Sequence, residues 1–217
     1  MITGCFIDIS GAKGELYGKL LTKINSFQRE PALSQPSSKE RDLKLWGKLL
    51  LHHLLSANSL EHLLLIDDLR INNWGKPYFE NSDFDFNIAH SGAIIFCAGV
   101  QKARLGVDIE KEEDRDFNAM REYFCQREWN LITASINSKA EFYKIWARKE
   151  ACIKATGRGL SQPLDEIDVS DNEVILDGIR WFLQDVFIKP GYGCCIAANQ
   201  KPDIVIEEVD FNKLQLI

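Results

Sequence analysis

The stretch from residue 105 to residue 160 constrains this chain most, because it puts acidic side chains on two apolar elements of different kinds. Residues 105–110 read Leu-Gly-Val-Asp-Ile-Glu, a composition that favours a β-strand. Successive side chains of a strand alternate between its faces, so the spacing of two puts Asp108 and Glu110 on the same face. Two oxygen donors therefore point in one direction.

The second acidic fragment, residues 146–154, has the spacing of a helix. Glu150 and Lys154 are four residues apart, which places them one turn apart on one face. On a helical wheel, Glu150 falls on the apolar side, among Tyr143, Trp146, Ala147 and Ile153. A carboxylate in such surroundings is costly unless a cation or strong donors compensate its charge.

Three carboxylates from a strand and a helix, with a lysine beside one, predict a Mg²⁺ site that takes part of its coordination from a substrate phosphate. The ligands would be Asp108, Glu110 and Glu150. The simpler alternatives are an exposed strand face for the first two and an ordinary ion pair between Glu150 and Lys154. A Mg²⁺-dependent nuclease is a rival enzyme, since its sites also collect acids and a lysine.

The composition limits the kinds of partner that we expect this protein to bind. The 217 residues are 45% apolar and carry a net charge of −6. That charge argues against a general nucleic-acid binder, which needs excess Lys and Arg. The first apolar run is interrupted by Asp8 and there is no long apolar stretch, so we expect no signal peptide, no membrane partner and a cytoplasmic monomer. The cysteines show no metal-ligand spacing and predict buried, reduced thiols.

Taken in order, the chain alternates helices with antiparallel strands, which predicts an α+β fold. Strands 93–100 and 105–110 are separated by a short turn and predict a hairpin. The other predicted elements are strands over 3–9, 84–88, 173–176, 179–188, 193–198 and 204–209, a short strand at 167–169, and helices over 16–28, about 38–56, 59–69, 118–133 and 138–156. The pattern indicates two similar subdomains, residues 1–104 and 105–217, with the active site at their junction.

Basic residues and one histidine upstream are candidates for binding an anion. Arg41 and Lys44 lie in the first half of a helix that a capping box opens near Ser38. His90 falls at a strand end close to the acidic strand, where a partly protonated imidazole can meet a phosphate. A solvated charged face and an exposed turn histidine are the simpler interpretations of these residues.

With these residues in place, the chain resembles the Sfp-type 4'-phosphopantetheinyl transferases. Residues 106–110 (GVDIE) and 146–154 (WARKEACIK) are similar to that family's G-(V/I)-D-(I/V)-E and W-x-x-K-E-(A/S)-x-x-K motifs, in the same order. Upstream, residues 75–77 (GKP) and 86–91 (FNIAHS) are similar to its G-K-P and F-N-x-S-H-S elements. Ala89 departs from the pattern, since the family usually has Ser there.

The resemblance implies a pseudo-twofold α+β fold and a Mg²⁺-dependent enzyme, a holo-[carrier protein] synthase. Such an enzyme transfers the phosphopantetheine arm of coenzyme A to a serine of an apo acyl or peptidyl carrier protein and releases adenosine 3',5'-bisphosphate. This chemistry belongs to fatty acid, polyketide or nonribosomal peptide biosynthesis, and the sequence leaves the pathway open. A coenzyme A-binding module without catalysis is the alternative outside enzymes, and would be expected to lack Glu150 or Lys154.

The resemblance also implies roles for single residues. Glu150 would be the base, directly or through a metal-bound water, and Lys154 would stabilise charge on the phosphate and the leaving group. Asp108 and Lys154 would contact coenzyme A through its diphosphate. Its 3'-phosphate and the adenine-side phosphate would be held by Lys76, His90 and Arg41, with Lys44 as the rival to Arg41.

Overall fold

The computed structural model describes residues 1–11, 39–60, 69–159 and 163–210, and the side chains of 39–41 are outside that description. The predicted helix over 16–28 and residues 61–68 of the predicted helix over 59–69 therefore lie outside the described residues. No helix within the described ranges is long and apolar enough to cross a membrane.

The first of two four-stranded sheets contains, in spatial order, β10 (Ile204–Glu208), β1 (Ile2–Asp8), β5 (Ile94–Gln101) and β4 (Phe84–Ser91). The helix α1 (Lys39–Ala57) packs against one face of this sheet, burying Trp46 and Leu50 against Phe86. Two short strands, β2 (Leu69–Ile71) and β3 (Pro77–Phe79), form a separate antiparallel pair.

The second sheet has the order β6 (Leu105–Lys111), β9 (Tyr192–Ala198), β8 (Ile179–Asp185) and β7 (Glu173–Leu176). The helix α3 (Ser138–Thr156) lies across β6 and β9, and the shorter helix α2 (Gln126–Ala134) packs against α3. Gly157 ends α3 in the left-handed conformation, with φ of 71°, as the sequence predicts.

The two halves repeat one arrangement. In each, a strand and a long helix are followed by an antiparallel pair whose last strand returns beside the first: β1, α1, β4 and β5, then β6, α3, β8 and β9. The predicted α+β class with two similar subdomains is confirmed. The division at 104/105 stays a prediction, with one correction: β10 pairs in parallel with β1, so residues 204–208 belong to the first sheet and not to the second unit.

The predicted hairpin between residues 93–100 and 105–110 is wrong. β5 is already hydrogen-bonded to β1 on one side and β4 on the other, so neither of its edges is free for β6. β6 pairs instead with β9, where Asp108 lies opposite Cys195.

Two further elements differ from the sequence predictions. The predicted helix over 118–133 is divided into a 3₁₀ segment, Phe117–Tyr123, and α2, because the backbone is extended at Phe124 and Cys125. No strand forms over 167–169. The side chain that caps α3 is Asn137, which accepts from the backbone N–H of Ala140.

Side chains of β4 connect the first sheet to the edge of β6, and we call this set of hydrogen bonds the side-chain ladder. Three side chains of β4 accept hydrogen bonds from backbone N–H groups of β6, at 2.8, 2.9 and 3.0 Å: Asp85 from Leu105, Asn87 from Val107 and Ser91 from Lys111. The ladder aligns the end of β4 with the acidic residues of β6.

A buried ion pair fixes α2 to α3. The Lys149 ammonium and the Glu128 carboxylate are both fully buried and lie 2.7 Å apart. Lys149 also donates to the backbone carbonyls of Leu164 and Ile167, and Glu128 accepts from the backbone N–H of Val169. The pair therefore connects two helices and the loop after α3.

We predict that Lys149→Met destabilises the protein by about 3–5 kcal/mol in urea unfolding, because it leaves Glu128 charged and buried without its cation. Adding Glu128→Gln should recover much of the loss. Arg127→Ala is the matched control, since its pairs with Asp168 and Asp171 are exposed and should contribute little to stability. A Lys149→Met protein as stable as the Arg127→Ala control would contradict this account.

Candidate active site

Two glycines let α3 lie directly on the strands that carry the site. A Cβ at Gly106 of β6 would stand 2.2 Å from the Ala151 carbonyl oxygen and from the Ala155 nitrogen, and a Cβ at Gly193 of β9 would stand 2.7 Å from the backbone of Tyr143. Neither position can take a side chain unless the helix moves away. This contact brings residues 150–154 over the face of β6 that carries Asp108.

Asp108 is the most buried of the predicted site carboxylates, at 4% exposure. Its Oδ1 atom is 2.5 Å from the Lys154 ammonium, whereas its Oδ2 atom is buried and has no hydrogen-bond partner in the described structure. The pKa of Asp108 is raised to about 7, chiefly by burial and in part by the charges of Glu110 and Glu150, against the opposing effect of Lys154.

Glu110 lies two residues further along the same face of β6 and is partly buried. Its Oε2 atom accepts a hydrogen bond from the Ser91 hydroxyl at 3.1 Å. Burial raises the pKa of Glu110, although hydrogen bonds from Ser91 and Trp146 and the charge of Lys154 act in the opposite direction. Ser91 and Trp146 thus belong to the site as groups that orient this carboxylate.

Glu150 and Lys154 face β6 from α3, one helical turn apart. Burial raises the pKa of Glu150, with a further contribution from Glu110 and an opposing one from Lys154. Burial disfavours the Lys154 ammonium, but the attraction of Asp108, Glu150 and Glu110 outweighs it and raises the pKa of Lys154. The carboxylates therefore repel one another, and the positive charge of Lys154 opposes that repulsion.

This arrangement fits a divalent cation. Asp108 Oδ2 is a buried acceptor without a donor, and Glu110 and Glu150 each raise the proton affinity of Asp108, so added positive charge would be favourable here. The three carboxylates do not form a set whose oxygens all lie within 4.8 Å. Among described residues, the set that does is Cys125, Glu128 and Asp168, but Glu128 is paired with Lys149 and Asp168 with Arg127.

A cleft of about 300 Å³ opens beside these residues. It lies between α3, the middle of β4 and the turn before β3, and its lining is Trp74, Gly75, Lys76, Pro77, Asn87, Ile88, Glu150, Ile153, Lys154, Gly157 and Gly159. A larger cavity of about 650 Å³ shares Lys76 and Gly157 with it but contains neither Glu150 nor Lys154, which line the smaller cleft. We therefore regard the smaller cleft as the candidate active site.

Asn72 builds one wall of the cleft. Its Oδ1 atom accepts from the backbone N–H groups of Trp74 and Lys76, at 3.0 and 2.9 Å, and its Nδ2 atom donates to the Gly157 carbonyl at 2.9 Å. One side chain thus shapes the turn before β3 and attaches it to the end of α3. Sequence reasoning missed this role, although an Asn before Trp-Gly-Lys-Pro is a turn signal.

The basic residues predicted from the sequence have different surroundings. Lys76 is mostly buried, pairs with Asp85 at 2.9 Å and donates to the Leu105 carbonyl at 2.8 Å; burial lowers the pKa of Lys76. His90 is exposed at the end of β4, and Lys44 is exposed on α1. The side chain of Arg41 lies outside the described residues.

Comparison with known proteins agrees with these motifs. The model of the 4'-phosphopantetheinyl transferase superfamily matches residues 104–197. A 4'-phosphopantetheinyl transferase of Bacillus subtilis is 37% identical over 102 residues, which are 46% of this chain and 45% of that protein. The 4'-phosphopantetheinyl transferase Sfp of Bacillus subtilis strain 168 is 27% identical over 192 residues, 83% of this chain and 84% of that one.

A eukaryotic relative is also similar. The L-aminoadipate-semialdehyde dehydrogenase-phosphopantetheinyl transferase of Schizosaccharomyces pombe is 30% identical over 163 residues, 66% of this chain and 63% of that protein. With the carboxylates and the lysine inside the matched region, the chain is similar to the 4'-phosphopantetheinyl transferase superfamily in its functional motifs and to Sfp over most of its length. These relatives lend no support to the nuclease or to the non-catalytic binding module.

The raised pKa of Asp108 predicts a pH effect on the metal-free protein. The unfolded value is about 3.9, so the folded protein holds this proton more tightly, and the resulting stabilisation is lost as the pH rises through about 7. In EDTA, the melting temperature of the wild type should fall more between about pH 5.5 and 8.5 than that of Asp108→Asn. The same pH dependence in both proteins would show that Asp108 is not the titrating group.

Proposed function

We propose that this protein transfers the 4'-phosphopantetheine arm of coenzyme A to a serine hydroxyl of an apo carrier protein and releases adenosine 3',5'-bisphosphate. The observation that carries the proposal is the ion pair between the buried Asp108 and Lys154, with Glu110 and Glu150 acting on it, inside the region that matches the superfamily. The names of the relatives given above support phosphopantetheine as the transferred group. The pathway in which the carrier protein works stays open.

The proposed cofactor is Mg²⁺, held by Asp108, Glu110 and Glu150. Carboxylate oxygens are the ligands that Mg²⁺ prefers, and it usually completes its coordination with water and substrate phosphate. When bound, the ion would neutralise and orient the diphosphate of coenzyme A. The unpartnered Oδ2 atom of Asp108 supports this assignment.

Glu150 would accept the proton of the attacking serine, directly or through a bound water. A general base works best when its pKa lies near the pH of the reaction, and the pKa of Glu150 is raised by burial before any metal binds. The serine oxygen then forms a bond to the β-phosphorus while the bond from that phosphorus to the bridging oxygen breaks. The electron pair leaves with adenosine 3',5'-bisphosphate.

Lys154 would stabilise the negative charge that develops on the phosphate and on the leaving oxygen. Its ammonium is positioned by Asp108 and lies in the wall of the cleft. A donor fixed in advance needs little reorganisation during the reaction, which is why such contacts contribute strongly to catalysis. The 3'-phosphate side of coenzyme A would be bound by His90 and Lys76 with Arg41 or Lys44.

The carrier protein would approach residues 111–130. Tyr123 is 39% exposed there and the neighbouring Leu131 is 43% exposed, so the described surface offers apolar contacts to a helical carrier. Two arginines of this surface are already paired, Arg115 with Glu113 and Arg127 with Asp171. An apolar contact is therefore the form of docking that we propose.

A cytoplasmic location and a monomeric state remain predictions.

The direct test is mass spectrometry of apo acyl and peptidyl carrier proteins after incubation with this protein, coenzyme A and Mg²⁺. We predict a gain of one phosphopantetheine on a carrier serine. Glu150→Gln should lower the rate by about a hundredfold or more, because the base is lost. The control is Glu141→Gln on the same helix, whose carboxylate pairs with Lys144 away from the site.

Either of two results would contradict the proposal. No gain of mass on any carrier would reject the activity, and equal rates for Glu150→Gln and Glu141→Gln would remove Glu150 from the chemistry.

A further inference from the structure

Two residues line both the candidate active-site cleft and the larger cavity of about 650 Å³ beside it, namely Lys76 and Gly157. The wall between the two spaces therefore passes through this pair. Asn72 lines the larger cavity and is hydrogen-bonded to both of them. Its Oδ1 atom accepts from the Lys76 backbone N–H at 2.9 Å, and its Nδ2 atom donates to the Gly157 carbonyl at 2.9 Å. One amide thus connects the two residues that separate the cavities.

The hydrogen bonds of Asn72 divide into two groups. Within the turn, its backbone N–H donates to the Lys76 carbonyl, its carbonyl accepts from the Gly75 N–H, and its Oδ1 atom accepts from the N–H groups of Trp74 and Lys76. These contacts would persist if the turn moved as one unit. The contact from Nδ2 is different, because it reaches Gly157, 85 residues further along the chain, and fixes the turn against the end of α3.

The end of α3 is built to receive this contact. Carbonyl groups at the C-terminal end of a helix have no donor within the helix, and Asn72 supplies one. A Cβ at Gly157 would stand 3.2 Å from Asn72 Nδ2, so the glycine leaves room for the amide. A Cβ at Gly159 would stand 3.5 Å from the Cβ of Trp74, which shows that the turn and the chain after α3 are in close contact at a second point.

We propose that Asn72 is a positioning residue, which holds the turn against α3 and closes the cleft toward the larger cavity, so that bound coenzyme A is kept against Lys154. The inference rests on the proposed function. Lys154 is fixed separately by its ion pair with Asp108, and α3 by its contact with β6 at Gly106. Loss of the Asn72 contact should therefore displace the opposite wall and leave the reacting groups in place. A change of this kind weakens substrate binding more than it slows the bound complex.

Two variants separate the shape of the turn from its attachment to the helix. Asn72→Asp keeps an oxygen for the N–H groups of the turn but has no donor for the Gly157 carbonyl, whereas Asn72→Ala loses both. We predict that each variant raises the KM for coenzyme A by about tenfold and changes kcat by no more than about twofold. Because alanine carries no charge, a rise shared by both variants cannot come from repulsion between a new carboxylate and the substrate.

Asn58→Ala is the matched control. The Asn58 side chain also forms hydrogen bonds, with the Thr3 hydroxyl and the Leu54 carbonyl, but they attach α1 to β1 and do not reach the cleft. This variant should melt earlier than the wild type with an unchanged KM. A wild-type KM in the Asn72 variants, a rise no larger than that of Asn58→Ala, or a fall in kcat at constant KM would overturn the inference. If the wild type modifies no carrier, the proposed function is rejected, and the Kd of coenzyme A from calorimetry gives the same comparison of variants.

Discussion

The close contact between α3 and β6 is the constraint on which the rest of the site depends. At Gly106 the helix backbone occupies the space that any Cβ would need, and Gly193 gives the same freedom on β9. With the helix this close, Lys154 forms an ion pair with the buried Asp108, and Glu150 lies near enough to raise the pKa of Asp108. A separation greater by the width of a methyl group would weaken each of these interactions, since they fall with distance and with access of water.

Polar contacts on either side hold this arrangement in place. The side-chain ladder joins β6 to β4, and its last member, Ser91, also donates to Glu110. On the far side of α3, Lys149 is paired with Glu128 and cannot take part in the site, although it is adjacent to Glu150 in the sequence. Lys149 therefore has a structural role, whereas its neighbour Glu150 faces the cleft.

Local patterns predicted the strand with Asp108, the helix with Glu150 and Lys154, and the stop at Gly157, because each depends on residues close in sequence. The partner of β6 was predicted wrongly, since pairing depends on which strand edges are already occupied. Nor could periodicity reveal that the side chains of Asn87 and Ser91 accept hydrogen bonds from the backbone of β6. Ala89, where the family usually has Ser, is 3% exposed in the core between the sheets, a position that no local pattern indicates.

The central claim is that the carboxylates around Asp108 bind a divalent cation that in turn binds a diphosphate. Isothermal titration calorimetry of coenzyme A into the protein, in Mg²⁺ and separately in EDTA, tests it most directly. The account predicts clearly tighter binding by the wild type in Mg²⁺, and for Asp108→Asn the same weak binding in both buffers. Equal affinity of the wild type with and without Mg²⁺ would contradict it.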